Sequence, residues 1–380
     1  MRAEPVRVAL NPPPGDDLGD PRLVELIRAE IERSGPITFA RFMERALYEP
    51  GLGYYATSTE RPTRAGDFLT APELHPIFGQ TAARQLDEMW RLMGRPRPFV
   101  VREYGAGTGV LYLALVDGLI RMGSDLADQI DYQPLETEGR QPAPEKPAGR
   151  FVGVAIANEF IDALPVHRVV QRGSVLRELR VGWTGGRFVE VETEVSDEGI
   201  PDWFDERHIA LVEGQRAEVN LAMLAWLAKV GWQLERGYVL IFDYGAPEAD
   251  LYGPQRQTGT LRAFRGQHVS SDVLSAVGHQ DLTAHVDLDA LEGGGRVAGL
   301  DVLGRARQAE FLIRSGLDEV YGQLRETADQ DWDAATTLRG AVRRLLDPRA
   351  LGGYAVVVLG RGVERDPPLR GLAPVVRQHG

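Results

Sequence analysis

The stretch that most constrains the fold is Phe99–Gly109, FVVREYGAGTG, a short apolar run closed by one acid and followed by three glycines at alternate positions. Phe99, Val100 and Val101 predict a strand that stops at Glu103, and the periodic apolar segment Val110–Leu119 predicts the helix that follows. A strand, a glycine turn and a helix in this order make the unit of an α/β sheet whose turn faces a ligand. Gly105, Gly107 and Gly109 remove Cβ atoms where the backbone turns sharply and lies close to that ligand, and the amides opening the helix point at the same place.

Two ligand classes use such a turn. The dinucleotide fingerprint is G-x-G-x-x-G, whereas this chain carries G-x-G-x-G with an acid two residues upstream. Glu103 would set a carboxylate against the cationic amino-acid end of S-adenosylmethionine and would repel a pyrophosphate. The spacing therefore favours S-adenosylmethionine over NAD. A tight strand-to-helix turn without a ligand is the alternative reading of this stretch alone.

The 380 residues can bury a full core in one large domain with insertions or in two smaller ones. A formal net charge of -12 argues against a nucleic-acid partner, since phosphate attraction needs a basic surface, and suits a cationic one. Absence of cysteine excludes disulfides, thiolate metal sites and a cysteine nucleophile. No apolar run approaches the ~20 residues of a membrane span, and the first residues lack a secretory apolar core. Asn11–Asp20, NPPPGDDLGD, is acidic and proline-rich, unlike a mitochondrial transit peptide, so residues 1–20 are expected to be a disordered lead-in and the location cytoplasmic.

Along the chain, helices are expected over Pro21–Arg33 and Thr38–Leu47, and Tyr48–Tyr55 reads as a loop ordered by its tyrosines or a wall near the site. In GDFLTAPELHPIFGQ, Gly66–Gln80, Thr70 or Pro72 would open a helix Glu73–Met93, and Asp67 lies too far upstream to cap it, which leaves it a ligand role. Ile130–Glu136 reads as a second strand ending in an acid placed for ribose hydroxyls, or else as a loop glutamate. The buried strand Phe151–Asn158 runs into Glu159 and Asp162. Polar groups at that carboxyl end point into the crevice where such sheets bind ligands, so Asn158, Glu159 and Asp162 are candidates for handling the acceptor, although Asp162 could cap a short helix.

Val166–Val195 alternates in short runs, as an inserted antiparallel meander does, and Arg216–Leu234 carries a helical stripe. Strand Tyr238–Asp243 ends in Asp243-Tyr244-Gly245, opening toward the same crevice. Asp250–His268 is a long glycine-rich loop with Arg256, Arg262 and Arg265, and lengths of that kind are functional or disordered. His268, His279 and His285 have no zinc-like spacing, so no metal is expected. Helices over Val302–Leu324 and Trp332–Leu346 precede a closing strand within Gly353–Gly362.

Taken together, GDFLTAPELHPIFGQ, EYGAGTG, ANEFIDALPVHR, FDYG, GTLRAFRGQH and QDLTAHVDL resemble the MidA-like family of class I methyltransferases, over nearly the whole chain. The resemblance implies a Rossmann-like α/β sheet over residues 99–362, with insertions at about 166–215 and 246–300, an N-terminal helical segment 21–98 lining the cofactor pocket, and a tail 363–380. It also implies S-adenosylmethionine as cofactor, a protein substrate bearing an arginine, and assembly of respiratory complex I as the task of the mitochondrial member. By position, Glu103, Gly105, Gly107 and Gly109 match the cofactor loop, Gly66, Asp67, Thr70 and Pro72 the motif lining the same pocket, and Asn158, Glu159 and Asp162 the asparagine-glutamate motif. One departure is a proline-rich linker between Glu136 and Phe151 where a helix and third strand would fit.

Guanidinium stays protonated at neutral pH, so an arginine methyltransferase needs carboxylates to hold it; Glu159 and Asp162 would do so, with Asp243 in reserve. A small-molecule O- or N-methyltransferase and a cofactor-binding assembly chaperone are the competing expectations. The sequence is compatible with a homodimer.

Overall fold

A computed structural model describes residues 17–57, 70–136, 149–266, 268–328 and 331–373. Gly66 and Asp67, most of the expected lead-in and linker, and the end of the tail lie outside the described residues.

Six strands form the central sheet: β1 (Phe99–Tyr104), β2 (Ile130–Leu135), β3 (Phe151–Asn158), β4 (Leu234–Asp243), β5 (Asp301–Arg307) and β6 (Ala355–Arg361), in the order β5-β6-β4-β3-β1-β2. β1, β2, β3 and β4 run parallel, while β6 lies antiparallel to β4 and β5. Among the described residues no strand lies beyond β2, so the place of the third strand in the family's sheet is not filled there.

Strand periodicity of two divides the core. Phe99, Val101, Val154, Ile156, Leu240, Phe242, Val356 and Val358 pack on one face, while Val100, Tyr104, Ala155, Ala157, Val239, Ile241, Val357 and Leu359 pack on the other. Because both faces are covered, these strands are apolar runs and not alternating ones. The first face is covered by helices α4 (Ile77–Leu92) and α5 (Val110–Arg121), the second by α6 (Leu221–Gln233) and the helix Leu288–Val297. Ala114 would clash with a Cβ at Gly79, 2.5 Å away, so α4 and α5 pack backbone-close.

Helices α1 (Pro21–Ser34) and α2 (Phe39–Tyr48) form a third cluster with an antiparallel sheet of His167–Arg172, Val175–Thr184, Arg187–Thr193 and Arg216–Val219, and with the segment Leu261–Ala284. That packing carries the end of α2 to the carboxyl edge of the central sheet.

Four expected elements differ, the first being the long loop expected over Asp250–His268, which contains the strand Arg262–Arg265 paired with His268–Ser270 and Asp281–Thr283. The helix expected from Glu73 to Met93 is two: α3 (Ala71–Leu74), then α4, separated at His75 and Pro76, where proline cannot donate to the preceding turn. Arg216–Val219 is a strand, and Asn220 caps α6 by accepting from the Met223 N–H at 2.8 Å, so the helical stripe begins later than its apolar pattern suggests. Val302–Arg307 belongs to edge strand β5, and the helices Gln308–Arg314 and Leu317–Ala328 follow it.

Candidate active site

The parallel register aligns the carboxyl ends of three strands: Tyr104 pairs with Ala157, and Asn158 with Phe242, one residue before Asp243. Each strand therefore delivers its terminal acid to one edge.

At the β1 end the turn has φ values of 71° at Gly105, 57° at Gly107 and 75° at Gly109, conformations that side chains rarely adopt. The Gly105 N–H donates to Leu135 O at 2.8 Å, tying the turn to β2, and the Gly107 N–H donates to the Glu136 carboxylate. Glu103 is 3% exposed and accepts from the Tyr132 hydroxyl at 2.7 Å; Tyr112 stacks on that ring at 3.8 Å. Burial, with the Glu136 charge added, pushes the Glu103 carboxyl up to about 7, against the pull of the Tyr132 hydrogen bond. Two carboxyls flanking a glycine turn disfavour a phosphate there. They suit a ligand with a cationic end and free hydroxyls, which is the chemistry of S-adenosylmethionine.

The second end is built on the loop after β3. Asp243 Oδ2 accepts from the N–H groups of Phe160 at 3.2 Å and Ile161 at 2.8 Å, and its Oδ1 accepts from Tyr244 N–H at 2.7 Å. Phe160 packs against Tyr104 and Trp226, with ring centroids 5.9 and 5.7 Å away. Held from both sides, the chain turns at Glu159 with φ 47°. The Glu159 side chain then meets α3, where Oε1 accepts from Ala71 N–H at 3.0 Å. Burial pushes Glu159 up to about 8 and Asp243 up to about 6, and the charge of Asp243 adds to the rise at Glu159. Burial and the charges of Asp243, Asp281 and Glu159 also hold Asp162 well above the ordinary carboxylate range.

Tyrosines wall this acidic end. Tyr48 donates to Ala163 O at 2.8 Å and stacks on Tyr55, which donates to the Asp281 carboxylate at 2.9 Å. Tyr354 and Tyr244 lie 5.4 Å apart, ring to ring, near the same carboxyls. Among the described residues, the buried Asp162 Oδ1 and Asn158 Oδ1 have no hydrogen-bond partner. Buried acceptors left open beside several acids form a receptacle for a cationic donor.

The structure thus brings Glu103, Gly105, Gly107, Gly109 and Glu136 together at one end and Asn158, Glu159 and Asp162 at the other. Thr70 and Pro72 flank Ala71, whose N–H meets Glu159, so their segment reaches the acid end. Asp243, expected as a reserve clamp for a ligand, has both oxygens engaged by backbone amides. Sequence reasoning missed Tyr132 and Asp281. It noticed Tyr48 and Tyr55 only as a tyrosine-rich loop, and Tyr244 only within a turn.

A Burkholderia thailandensis protein crystallised with S-adenosyl-homocysteine is 30% identical to this chain, superposes with a TM-score of 0.81, and is matched over 92% of this chain and 94% of its own. The chain belongs to the MidA-like family of S-adenosylmethionine-dependent methyltransferases. A second crystal structure from the same organism, also 30% identical, gives a TM-score of 0.78 over 93% of this chain and 94% of that one. The family described as "Putative S-adenosyl-L-methionine-dependent methyltransferase" matches residues 141–306. Among curated relatives, the "Protein arginine methyltransferase NDUFAF7 homolog, mitochondrial" of Drosophila melanogaster is 28% identical over 88% of this chain and 83% of its own length. Its Mus musculus counterpart is 29% identical over 85% and 80%.

The chain is therefore a methyltransferase, its cofactor is S-adenosylmethionine, and its fold is the expected α/β sheet. The cytoplasmic expectation is corrected: these relatives are mitochondrial proteins. That expectation rested on an ordinary soluble composition and an acidic beginning, which report on how a chain folds in water and not on the compartment that holds it.

Proposed function

We propose that the methyl acceptor is an arginine side chain of a protein substrate, held at the acidic end. The observation that carries this reading is the pair of unpartnered buried oxygens, Asn158 Oδ1 and Asp162 Oδ1, within a cluster of carboxyls raised above their ordinary range. A guanidinium brings five N–H donors in a planar fork, satisfies those acceptors and returns the acids to their charged forms. The names of the curated relatives support the same acceptor, and the resemblance implies a respiratory complex I subunit as its bearer.

In this reading S-adenosylmethionine supplies an electrophilic methyl group when bound. Glu103 would face the cofactor's cationic end, Gly105, Gly107 and Gly109 would admit its body, and Glu136 would reach its hydroxyls, with Thr70 and Pro72 on the segment that meets Glu159. Glu159 holds the guanidinium through charge-assisted bonds, and Asp162, ionised once the guanidinium is bound, takes the proton the nitrogen gives up. We assign residues 21–98 to the wall of this pocket and 99–362 to the sheet and its insertions.

Incubating the protein with labelled S-adenosylmethionine and a mitochondrial extract tests the proposal. The expected result is a labelled protein band whose hydrolysate contains methylarginine. Label on a small metabolite, or on another amino acid, overturns the acceptor assignment.

A further inference from the structure

Behind the acidic end lies a cleft of the opposite character. The loop Gln255–Arg262 and the residues Gly245 and Ala246 enclose a cavity of about 450 Å³ that opens to the surface. Arg256 and Arg262 line it, both half-buried, and His285 forms its inner wall. Some guanidiniums of the chain are ion-paired, as Arg168 is with Glu190 and Arg207 with Asp287, while Arg102 and Arg361 bond to amide and backbone oxygens. Arg256 and Arg262 have no ion-pair partner among the described residues. Each is fixed by one bond to a backbone carbonyl, Arg256 Nε to Asp250 O at 2.8 Å and Arg262 Nη1 to Leu261 O at 2.7 Å, which leaves their other N–H groups free.

The remaining charges do not cancel them. Asp250 lines the cleft too, on its exposed side, and Glu218 lies beneath Gly259 with Oε2 accepting from the Thr260 N–H and hydroxyl at 2.7 and 3.0 Å and Oε1 3.9 Å from Arg168 Nε. The His285 Nδ1 is buried without a partner. Burial and the two neighbouring guanidiniums push that imidazole down to about 4, so it is neutral and the positive charge of the cleft is carried by the arginines.

The cleft adjoins the acceptor end directly. His285 packs on Tyr244 with ring centroids 4.0 Å apart, and Tyr244, 41% exposed, stands between the cleft and Tyr354. Asp243, the clamp of the acidic loop, is two residues before Gly245 in the cleft wall. An extended polypeptide advances ~3.3 Å per residue, so a chain presenting one side chain at the acids passes over Tyr244 and presents another at the arginines within a few residues.

We propose that this cleft binds a carboxylate of the protein substrate, an aspartate or glutamate a few residues from the arginine that is methylated. The proposal rests on the arginine reading above and adds a selectivity element to it. The enzyme reads a charge pair, cation at the acids and anion at the cleft, and so rejects arginines lying in uniformly basic segments.

The test uses synthetic peptides with one arginine and one glutamate, the glutamate placed in turn at each position within about four residues on either side, and matched peptides with glutamine there. The wild type is expected to favour one glutamate position over its glutamine counterpart by about tenfold in kcat/KM, the worth of a part-exposed charge-assisted pair. In the double variant Arg256→Gln, Arg262→Gln that ratio falls to near one, and in Arg262→Gln alone it falls part of the way, with S-adenosyl-homocysteine affinity as the control for folding. A wild type that methylates these peptides without a glutamate preference, or a double variant that keeps it, overturns the subsite. Peptide binding followed by fluorescence anisotropy separates this from the parent reading. If no arginine peptide is methylated yet a glutamate peptide binds the wild type and loses at least about tenfold in the double variant, the cleft stands and the arginine assignment falls. No glutamate-dependent binding and no glutamate-dependent turnover overturn the cleft.

Discussion

Replacing Glu159 by glutamine should stabilise the protein without its acceptor, and more so as pH rises. Glu159 is held among Asp243, Asp162 and the α3 backbone with its carboxyl pushed from 4.5 up to about 8 by burial. For an acid raised in the folded state, the stability contribution is fully present below the unfolded value and is lost as pH climbs through the folded value. Between pH 4.5 and about 8 the unfolded chain is ionised there while the folded carboxyl keeps its proton, which costs the folded state about 1.4 kcal/mol for each pH unit. The limit of that loss is about 5 kcal/mol, and relaxation with the water that still reaches the side chain brings the expected difference to roughly 2–3 kcal/mol by pH 8. Glutamine keeps an oxygen for Ala71 N–H and has no charge to bury, so Glu159→Gln should lack this slope. Urea unfolding of both proteins at pH 5 and pH 8, followed by circular dichroism, reads it as a gap in midpoint that widens with pH. Parallel pH dependence in the two proteins would refute the raised ionisation of Glu159 and with it the picture of an acid waiting for a cation. Methyl transfer should fall in the same variant while S-adenosyl-homocysteine affinity stays level.

Gly107→Val should abolish S-adenosyl-homocysteine binding measured by calorimetry while the protein still folds, because a β-branched residue cannot take φ 57° beside the ligand; undiminished affinity in a folded variant removes the turn from the cofactor site. Asp243→Asn turns an amide donor toward the N–H groups of Phe160 and Ile161 or of Tyr244 and should lower unfolding free energy by roughly 1–3 kcal/mol as well as transfer. Unchanged stability there would mean the loop is held by Phe160 packing alone.

The strand, glycine turn and helix at the first end are legible in the sequence because they are local, whereas the Tyr132 hydroxyl on Glu103 is not. An apolar run, an acid and spaced glycines specify strand, turn and helix, and the neighbouring strand Ile130–Leu135 leads into Glu136. The closing strand Ala355–Arg361, buried on both faces, announced itself in the same way. Edge strand β5 did not, since an edge needs only one covered face and its Gly304 and Arg305 break any alternation. Arg216–Val219 was absorbed into the helical stripe that follows, and only the capping geometry of Asn220 separates the two. At the acid end, Asn158, Glu159 and Asp162 could be picked out because they close a buried strand. Asp281 and Tyr354 could not, since nothing in their own neighbourhoods shows that helix and loop packing carries them to the same place. The difference between Asp243, with both oxygens held by backbone amides, and Glu159, with one oxygen held by Ala71 N–H and the Asn158 amide, is a matter of which donors face which oxygen, and composition is silent on it.

The two ends of the site also differ in when they can come into being. The cofactor turn, Tyr132 and Glu136 come from one continuous stretch, so they assemble as soon as a single βαβ unit closes. The acceptor end joins Tyr48 to Ala163, 115 residues on, and Tyr55 to Asp281, 226 residues on. Contacts that distant form late, after the loop entropy between them has been overcome. In that order the glycine turn with Tyr132 and Glu136 is in place before the acidic end is complete. If the proposed acceptor site is right, order of assembly would then keep a methyl donor from meeting its acceptor until distant parts of the chain have met.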